Sequence, residues 1–243
     1  MKILLVRHGE PDYDRDCLLP LGKKEAEAVA KRLKDREIDG FFVSPLGRAR
    51  ETAEPTLRQK GAEALVCDWL REFHAPVKRP DKNGDKTICW DFLPQDWTTE
   101  DAYYSPKNWY RTPVMEEGNV GKEYSRVAEE FDKVLSGYGY ERDGRIYRVR
   151  EANEKTLCFF CHFGVGIVII SHLLSVSPMP LWHGMNAAPG SISELVSEER
   201  RDGIASFRMH HYGDTAHLDA EGLFGNVNGR FAEIYSDFSQ RHD

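Results

Sequence analysis

The chain opens on a short apolar run, Ile3-Leu4-Leu5-Val6, that breaks off in Arg7-His8-Gly9-Glu10. Consecutive apolar residues bounded by charge fit a strand buried on both faces. Beyond it, Ala26, Val29, Ala30 and Leu33 recur at helical spacing among good helix formers, and Pro20 suits a first helical turn. The spacing predicts a helix over residues 21–33. A second apolar run, residues 38–43, predicts a strand that Asp39 and Gly40 interrupt only mildly. Residues 46–60 predict a helix with Gly61 as its stop, and a weaker strand follows near residues 64–66.

The same alternation returns in the second half. Residues 123–135 predict a helix ended by Gly137 and Gly139. Residues 141–154 predict a small hairpin, with its turn at Arg142-Asp143-Gly144-Arg145 and alternation over residues 146–149. A strand over residues 156–161 runs into a helix over residues 163–174. Two strands are expected at residues 191–196 and 205–210, and a terminal helix at residues 231–238. Strands alternating with helices need crossover connections. The prediction is therefore an α/β fold, a mostly parallel sheet flanked by helices on both faces. No internal repeat or low-complexity tract interrupts it.

Residues 74–119 break the pattern. Pro76, Pro80, Pro94, Pro106 and Pro113 punctuate a stretch that holds Trp90, Trp97 and Trp109 and shows no clean period. It is too long for a simple loop and too aromatic for a disordered one. We expect one domain over residues 1–243, with residues 74–119 as an irregular, cap-like insertion.

Composition narrows the function. The chain has 243 residues, 40% hydrophobic and 30% charged, with a formal net charge of −7. That balance argues against a broad basic face for nucleic acid. An anionic substrate must be drawn by a local cluster of Arg and Lys. The most apolar segment, residues 157–170, is shorter than a membrane span and contains His162. The N-terminal apolar run is too short for a signal-peptide core. Five cysteines, an odd number without a secretory signal, suggest reduced thiols and a cytoplasmic setting. Cys158-Phe159-Phe160-Cys161-His162 matches a c-type haem attachment pattern, but within a strand its two cysteines point to opposite faces. No residue spacing suits a tetrahedral zinc site.

The candidate chemistry lies where strands end. Arg7-His8-Gly9-Glu10 puts a guanidinium, an imidazole and a glycine at a strand's carboxyl edge, where open α/β sheets bind ligands. Ser44-Pro45-Leu46-Gly47-Arg48-Ala49-Arg50-Glu51-Thr52-Ala53 follows the second strand, Leu70-Arg71-Glu72 the third, and Cys161-His162-Phe163-Gly164 closes the fourth. In this order the motifs resemble those of the histidine phosphatase superfamily, the phosphoglycerate mutase-like proteins.

The resemblance implies specific roles. His8 would be the nucleophile, transiently phosphorylated. Arg7 and Arg48 would clamp the phosphoryl oxygens, with His162 donating to the same oxygens, more usefully as a cation. Glu72 would be the proton donor, with Glu116 or Glu123 as alternatives. No metal and no cofactor would be needed, since arginines supply the charge. The expected partner is a small phosphorylated substrate, with no nucleic acid and no membrane. The expected activity is hydrolysis of small phosphomonoesters; the alternatives are mutase-type phosphoryl transfer and a non-catalytic phospho-ligand sensor. Lys78, Arg79 and Arg111 could hold a second anionic group, and Trp90, Trp97, Trp109 and Tyr110 could offer stacking faces. His74, His172, His183, His210, His211 and His217 are expected to be structural or solvated. The segment Gly213-Asp214-Thr215-Ala216-His217-Leu218 is expected to be a structural turn. Three positions depart from the family pattern: Asp14 where an Asn is frequent, Phe163 within the usual His-Gly-Gly, and Leu19 ahead of the first helix.

Overall fold

The computed structural model of the chain describes residues 1–79, 86–223, 233–234 and 237–241. The N-terminal apolar run is β1 (Lys2–Arg7), a central strand of an eight-stranded sheet. Its alternate residues serve two separate cores: Ile3 and Leu5 on one face, Leu4 and Val6 on the other. Both faces are covered, which is why the run shows no polar alternation.

The other strands are β2 (Gly40–Val43), β3 (Leu65–Val66), β4 (Tyr140–Asp143), β5 (Ile146–Val149), β6 (Thr156–Cys161), β7 (Ile192–Arg201) and β8 (Ile204–Asp214). Their order across the sheet is β3-β2-β6-β1-β7-β8-β5-β4. The first four are parallel, and β1 ends beside β6 with Arg7 opposite Cys161. From β7 onward the pairing is antiparallel. The sheet is thus mixed, with a parallel core.

Helices α1 (Pro20–Leu33) and α2 (Gly47–Lys60) cover the face that carries Leu4, Val6, Cys158 and Phe160. Helices α3 (Val120–Gly137), α4 (Phe163–Leu174) and α5 (Pro178–Gly184) cover the other. The core of that second face centres on Phe159, fully buried and stacked on Phe42 at 4.7 Å with Phe131 at 5.6 Å. Cys158 and Cys161 fall in opposite cores, as strand alternation requires, and both thiols are free.

The described parts of residues 74–119 fold as short pieces. Pro76–Lys78 pairs with Lys86–Ile88, and the one-turn helices Pro94–Trp97, Asp101–Tyr104, Trp109–Arg111 and Pro113–Glu117 follow. Phe92, Tyr103, Trp109 and Met115 carry them into the core of the α3–α5 face.

Two expectations change. Helix α5 has no counterpart in the sequence reading; Pro178 occupies its first turn, and Ser177 Oγ accepts from Met179 N at 3.3 Å. The terminal helix expected at residues 231–238 is not formed where that segment is described: Glu233–Ile234 pairs antiparallel with Asp237–Arg241. Residues 231–232 and 235–236 lie outside the described residues. Aromatic and β-branched residues such as Ile234 and Phe238 favour extended backbone.

Candidate active site

β1 delivers Arg7 and His8 to the carboxyl edge of the parallel core. His8 N donates to Cys161 O at 3.0 Å, and Gly190 N donates to the carbonyls of Arg7 and His8 at 3.2 and 3.1 Å. The His8 side chain is 2% exposed, with Nδ1 2.8 Å from Gly9 O. A carbonyl only accepts, so Nδ1 carries the proton and Nε2 keeps its lone pair. Burial, with the charges of Arg7 and Arg48, lowers the His8 pKa to about 3. The ring is therefore neutral at physiological pH.

Glycines let this loop form. Gly9 N donates to Thr52 Oγ1 at 3.0 Å, and a Cβ on Gly9 would stand 2.6 Å from Gly22 O. A Cβ on Gly22 would stand 2.2 Å from Glu10 O. Only a glycine at each position lets the start of α1 pack against the loop that follows His8.

Both arginines are buried and aimed by neighbours. Arg7 donates to Ala187 O at 2.5 Å. Arg48 stands in the first turn of α2 and donates to Asp16 Oδ1 at 2.6 Å. Asp16 Oδ2 accepts from Gly47 N at 2.7 Å, so one carboxylate holds both the helix start and the guanidinium. Asp16 has a left-handed backbone, φ +50°, and a Cβ on Gly47 would lie 2.0 Å from its carbonyl oxygen. Buried Arg48 Nε makes no hydrogen bond among the described residues.

His162, 1% exposed, faces His8 with ring centroids 5.0 Å apart. Its Nε2 lies 2.8 Å from Ser44 Oγ, which also accepts from Leu46 N at 3.3 Å. A Ser44 hydroxyl donating to Nε2 leaves the proton on Nδ1, a buried nitrogen with no partner among the described residues. Burial, and then His8, Arg48 and Arg7, hold the pKa of His162 well below its usual value. Burial first, and the surrounding positive charge second, favour its neutral form over the cation the resemblance suggested.

Glu72 follows the turn Asp68–Leu70 and meets the N-terminus of α4. Its Oε1 accepts from Phe73 N at 2.7 Å and Val165 N at 3.0 Å, and its Oε2 from Gly164 N at 3.2 Å. Burial raises its pKa against the pull of these donors and of Arg7. A Cβ on Gly164 would lie 2.7 Å from both Glu72 Oε1 and Trp90 Nε1, so a side chain there would displace one of them. Trp90 donates from Nε1 to Phe73 O at 3.2 Å and sets its ring edge-on to Phe163 at 5.7 Å. Through Trp90 the insertion reaches the site.

Arg7, His8, Arg48, Glu72 and His162 are thus gathered at one sheet edge. Other candidates are not. Glu123 pairs with Arg126 at 2.6 Å, and Glu116 is exposed. Lys78 pairs with Glu117, and Arg79 pairs with Asp91 at 2.8 Å inside the insertion. Arg111 lies over the Tyr110 ring. Trp109 is buried against Trp182 and Tyr124, and Trp97 stacks on His183, so these rings anchor the insertion to α3 and α5. The remaining histidines are structural or solvated: His172 pairs with Asp132, His183 bonds Met179 O, and His217 bonds Gly190 O at 2.9 Å. His74, His210 and His211 are exposed. Asp14 is exposed as well.

Sequence reasoning missed Asp16, Ser44 as the partner of His162, and Tyr13. The Tyr13 ring stands 6.4 Å from His8 and 5.4 Å from the Arg48 guanidinium carbon. Ser44 was visible within its motif; nothing local marked Asp16 or Tyr13. Among the described residues, no three His, Cys, Asp or Glu side chains are grouped to hold a metal ion, and no helix is long and apolar enough to cross a membrane.

A parallel-core α/β sheet with paired histidines and arginines at its carboxyl edge gathers the groups that phosphoryl-transfer chemistry calls on. The profile of the Histidine phosphatase superfamily (branch 1) matches residues 3–209, and the chain belongs to that superfamily. A probable phosphoglycerate mutase GpmB of Escherichia fergusonii is 24% identical over 239 residues, covering 92% of this chain and 97% of that one. Fructose-2,6-bisphosphatase TIGAR B of Danio rerio is 34% identical over 114 residues, covering 38% of this chain. The chain spans 44% of that relative's length and 40% of the GpmB of Photorhabdus laumondii, to which it is 34% identical over 86 residues. Among solved structures, Entamoeba histolytica phosphoserine phosphatase in complex with 3-phosphoglyceric acid superposes with a TM-score of 0.59 at 19% identity, covering 89% of this chain and 98% of that one. The mycobacterial glucosyl-3-phosphoglycerate phosphatase gives 0.57 at 16% identity, covering 87% and 98%. These structural likenesses establish the shared fold.

Proposed function

We propose that this chain hydrolyses small phosphomonoesters through a phosphohistidine on His8. The observation that carries this reading is the state of His8. Its Nδ1 proton is committed to Gly9 O and its Nε2 lone pair is available, while two buried guanidinium groups and His162 surround it.

In the first half-reaction, His8 Nε2 attacks phosphorus as the P–O bond to the leaving group breaks. Arg7, Arg48 and the Nδ1–H of His162 stabilise the charge spread over the phosphoryl oxygens. The Glu72 carboxyl, kept protonated to higher pH by burial, gives its proton to the departing oxygen. In the second, Glu72 takes a proton from water as that water attacks phosphorus, the P–N bond breaks, and His8 returns neutral. The positive charge comes from the chain itself, so this route requires no metal ion. The reading includes the insertion, residues 74–119, as a cap that bears on the site through Trp90. Five free cysteines are consistent with action in a reducing, cytoplasmic compartment.

The test is inorganic phosphate release from a panel of small phosphomonoesters with EDTA present. Release that persists in EDTA and is lost in His8→Ala supports the reading. Release that stops on chelation, or that survives His8→Ala, overturns it.

A second reading, phosphoryl transfer back to the substrate, is favoured by the near full-length likeness to a probable phosphoglycerate mutase. Products from 3-phosphoglycerate separate the two: isomerisation marks a mutase, inorganic phosphate a phosphatase.

A further inference from the structure

Aromatic rings border this site. Tyr13 is 66% exposed and lies beside both His8 and the Arg48 guanidinium. Phe163 lies 5.8 Å from the Arg7 guanidinium carbon, and half-buried Trp90 meets Phe163 edge-on. Trp90 is held there by two features, its bond to Phe73 O and the space left by Gly164. Phe163 is itself only 7% exposed, so it backs Trp90, whose ring presents the apolar surface at the start of α4.

Charge around the site points the same way. Arg71, whose charge reaches His162, pairs with Asp68 at 2.7 Å, and Arg15, in the loop of Tyr13, pairs with Asp12 at 3.8 Å, while Arg79 and Lys78 are paired within the insertion with Asp91 and Glu117. Arg111 rests on Tyr110. A second phosphate or carboxylate on the substrate would compete with Asp68 and Asp12 for these cations. It would also approach the carboxylate of Asp16 beside Arg48. A flat apolar group meets no such cost and gains contact with π surfaces.

We propose that the leaving group this site prefers is aromatic and uncharged, bound between Tyr13 and the Trp90–Phe163 pair, with no second anionic group. This rests on the phosphatase reading above and names its substrate class.

The test uses the full chain and alkyl phosphates whose alcohols have similar acidity, so that the chemical step is matched. The substrates are 2-phenylethyl phosphate, propyl phosphate and 3-phosphoglycerate. The expected kcat/KM for the phenylethyl ester exceeds that of the propyl ester by about tenfold or more, carried mainly in KM, in keeping with burial of one aromatic ring. 3-Phosphoglycerate is expected to be the poorest of the three. Tyr13→Ala and Trp90→Ala are each expected to shrink the aromatic advantage several-fold, while Trp90→Phe retains most of it. Tyr13 is exposed, so its variant keeps the test open should Trp90→Ala fail to fold. Phosphate release with no aromatic advantage, or with 3-phosphoglycerate preferred, overturns this inference and leaves the phosphatase reading standing. No release from any of the three overturns both.

Discussion

At the scale of single residues, environment decides what each ionisable group does. His8 and His162 share a site with two guanidinium groups, and burial keeps both imidazoles neutral. Glu72 moves the opposite way and holds its proton to higher pH. A neutral nucleophile beside a protonated acid is the state the first half-reaction needs. The working range therefore has a lower limit set by His8 near pH 3 and an upper limit set by Glu72, above the usual carboxylate range. Glu72→Gln is expected to remove the upper limb of the kcat/KM–pH profile and to lower kcat/KM on alkyl phosphates by roughly 10²–10⁴-fold. In kcat/KM, which reports the first half-reaction, phosphates of acidic phenols should lose much less, since their leaving oxygen needs no proton. Equal loss of kcat/KM on both substrate types would contradict the acid role. Asp16 acts at one remove, through its 2.6 Å bond to Arg48. Asp16→Asn is expected to weaken that orienting charge and raise KM by several-fold, with Arg48→Ala costing more; an unchanged KM would show that Arg48 is positioned without it. The arginines and histidines were legible in the sequence because each sits in a motif at a strand end. Asp16 was not, because its partner is 32 residues away and only the folded loop brings the two together.

At the scale of elements, legibility followed periodicity. The strands and helices of the parallel core matched their apolar patterns, because both faces of that sheet are buried and helical stripes face it. Residues 74–119 were legible as a break in the pattern but not as a structure, since one-turn helices carry no period. The charges there misled for a physical reason: the partners of Lys78 and Arg79 are Glu117 and Asp91, contacts that exist only once the segment folds. The glycines at element junctions are stricter than the sequence alone shows. Gly22→Ala would place a methyl group 2.2 Å from Glu10 O, and its neighbours there are backbone atoms that cannot swing aside. The start of α1 must then separate from the loop after His8. The expected result is a fall in both melting temperature and kcat, read by calorimetry and turnover. Wild-type values of both would show that this contact does not hold the loop.

At the scale of the whole molecule, the fold concentrates positive charge in a chain whose net charge is −7. The stability of the molecule should register the buried histidines. Unfolded His8 takes up a proton near pH 6.5, while the folded side chain resists until about 3. Between those values the unfolded state binds more protons, so stability falls as pH falls; above that window His8 contributes no pH dependence. By pH 5 the loss from His8 is about 2 kcal/mol. Denaturant unfolding of His8→Ala should lose correspondingly less stability between pH 7 and pH 5 than wild type, and an identical loss would contradict the buried neutral state.

The central claim is that His8 carries the phosphoryl group. Its most direct test is to quench the full chain during turnover, preserve acid-labile phosphate at alkaline pH, and map the modified peptide by mass spectrometry. The account predicts one phosphoryl group on the peptide containing His8, absent in His8→Ala and accumulating in Glu72→Gln when the substrate is a phosphate of an acidic phenol. Turnover with no phosphoryl group on that peptide, or with the label on another residue, would contradict it.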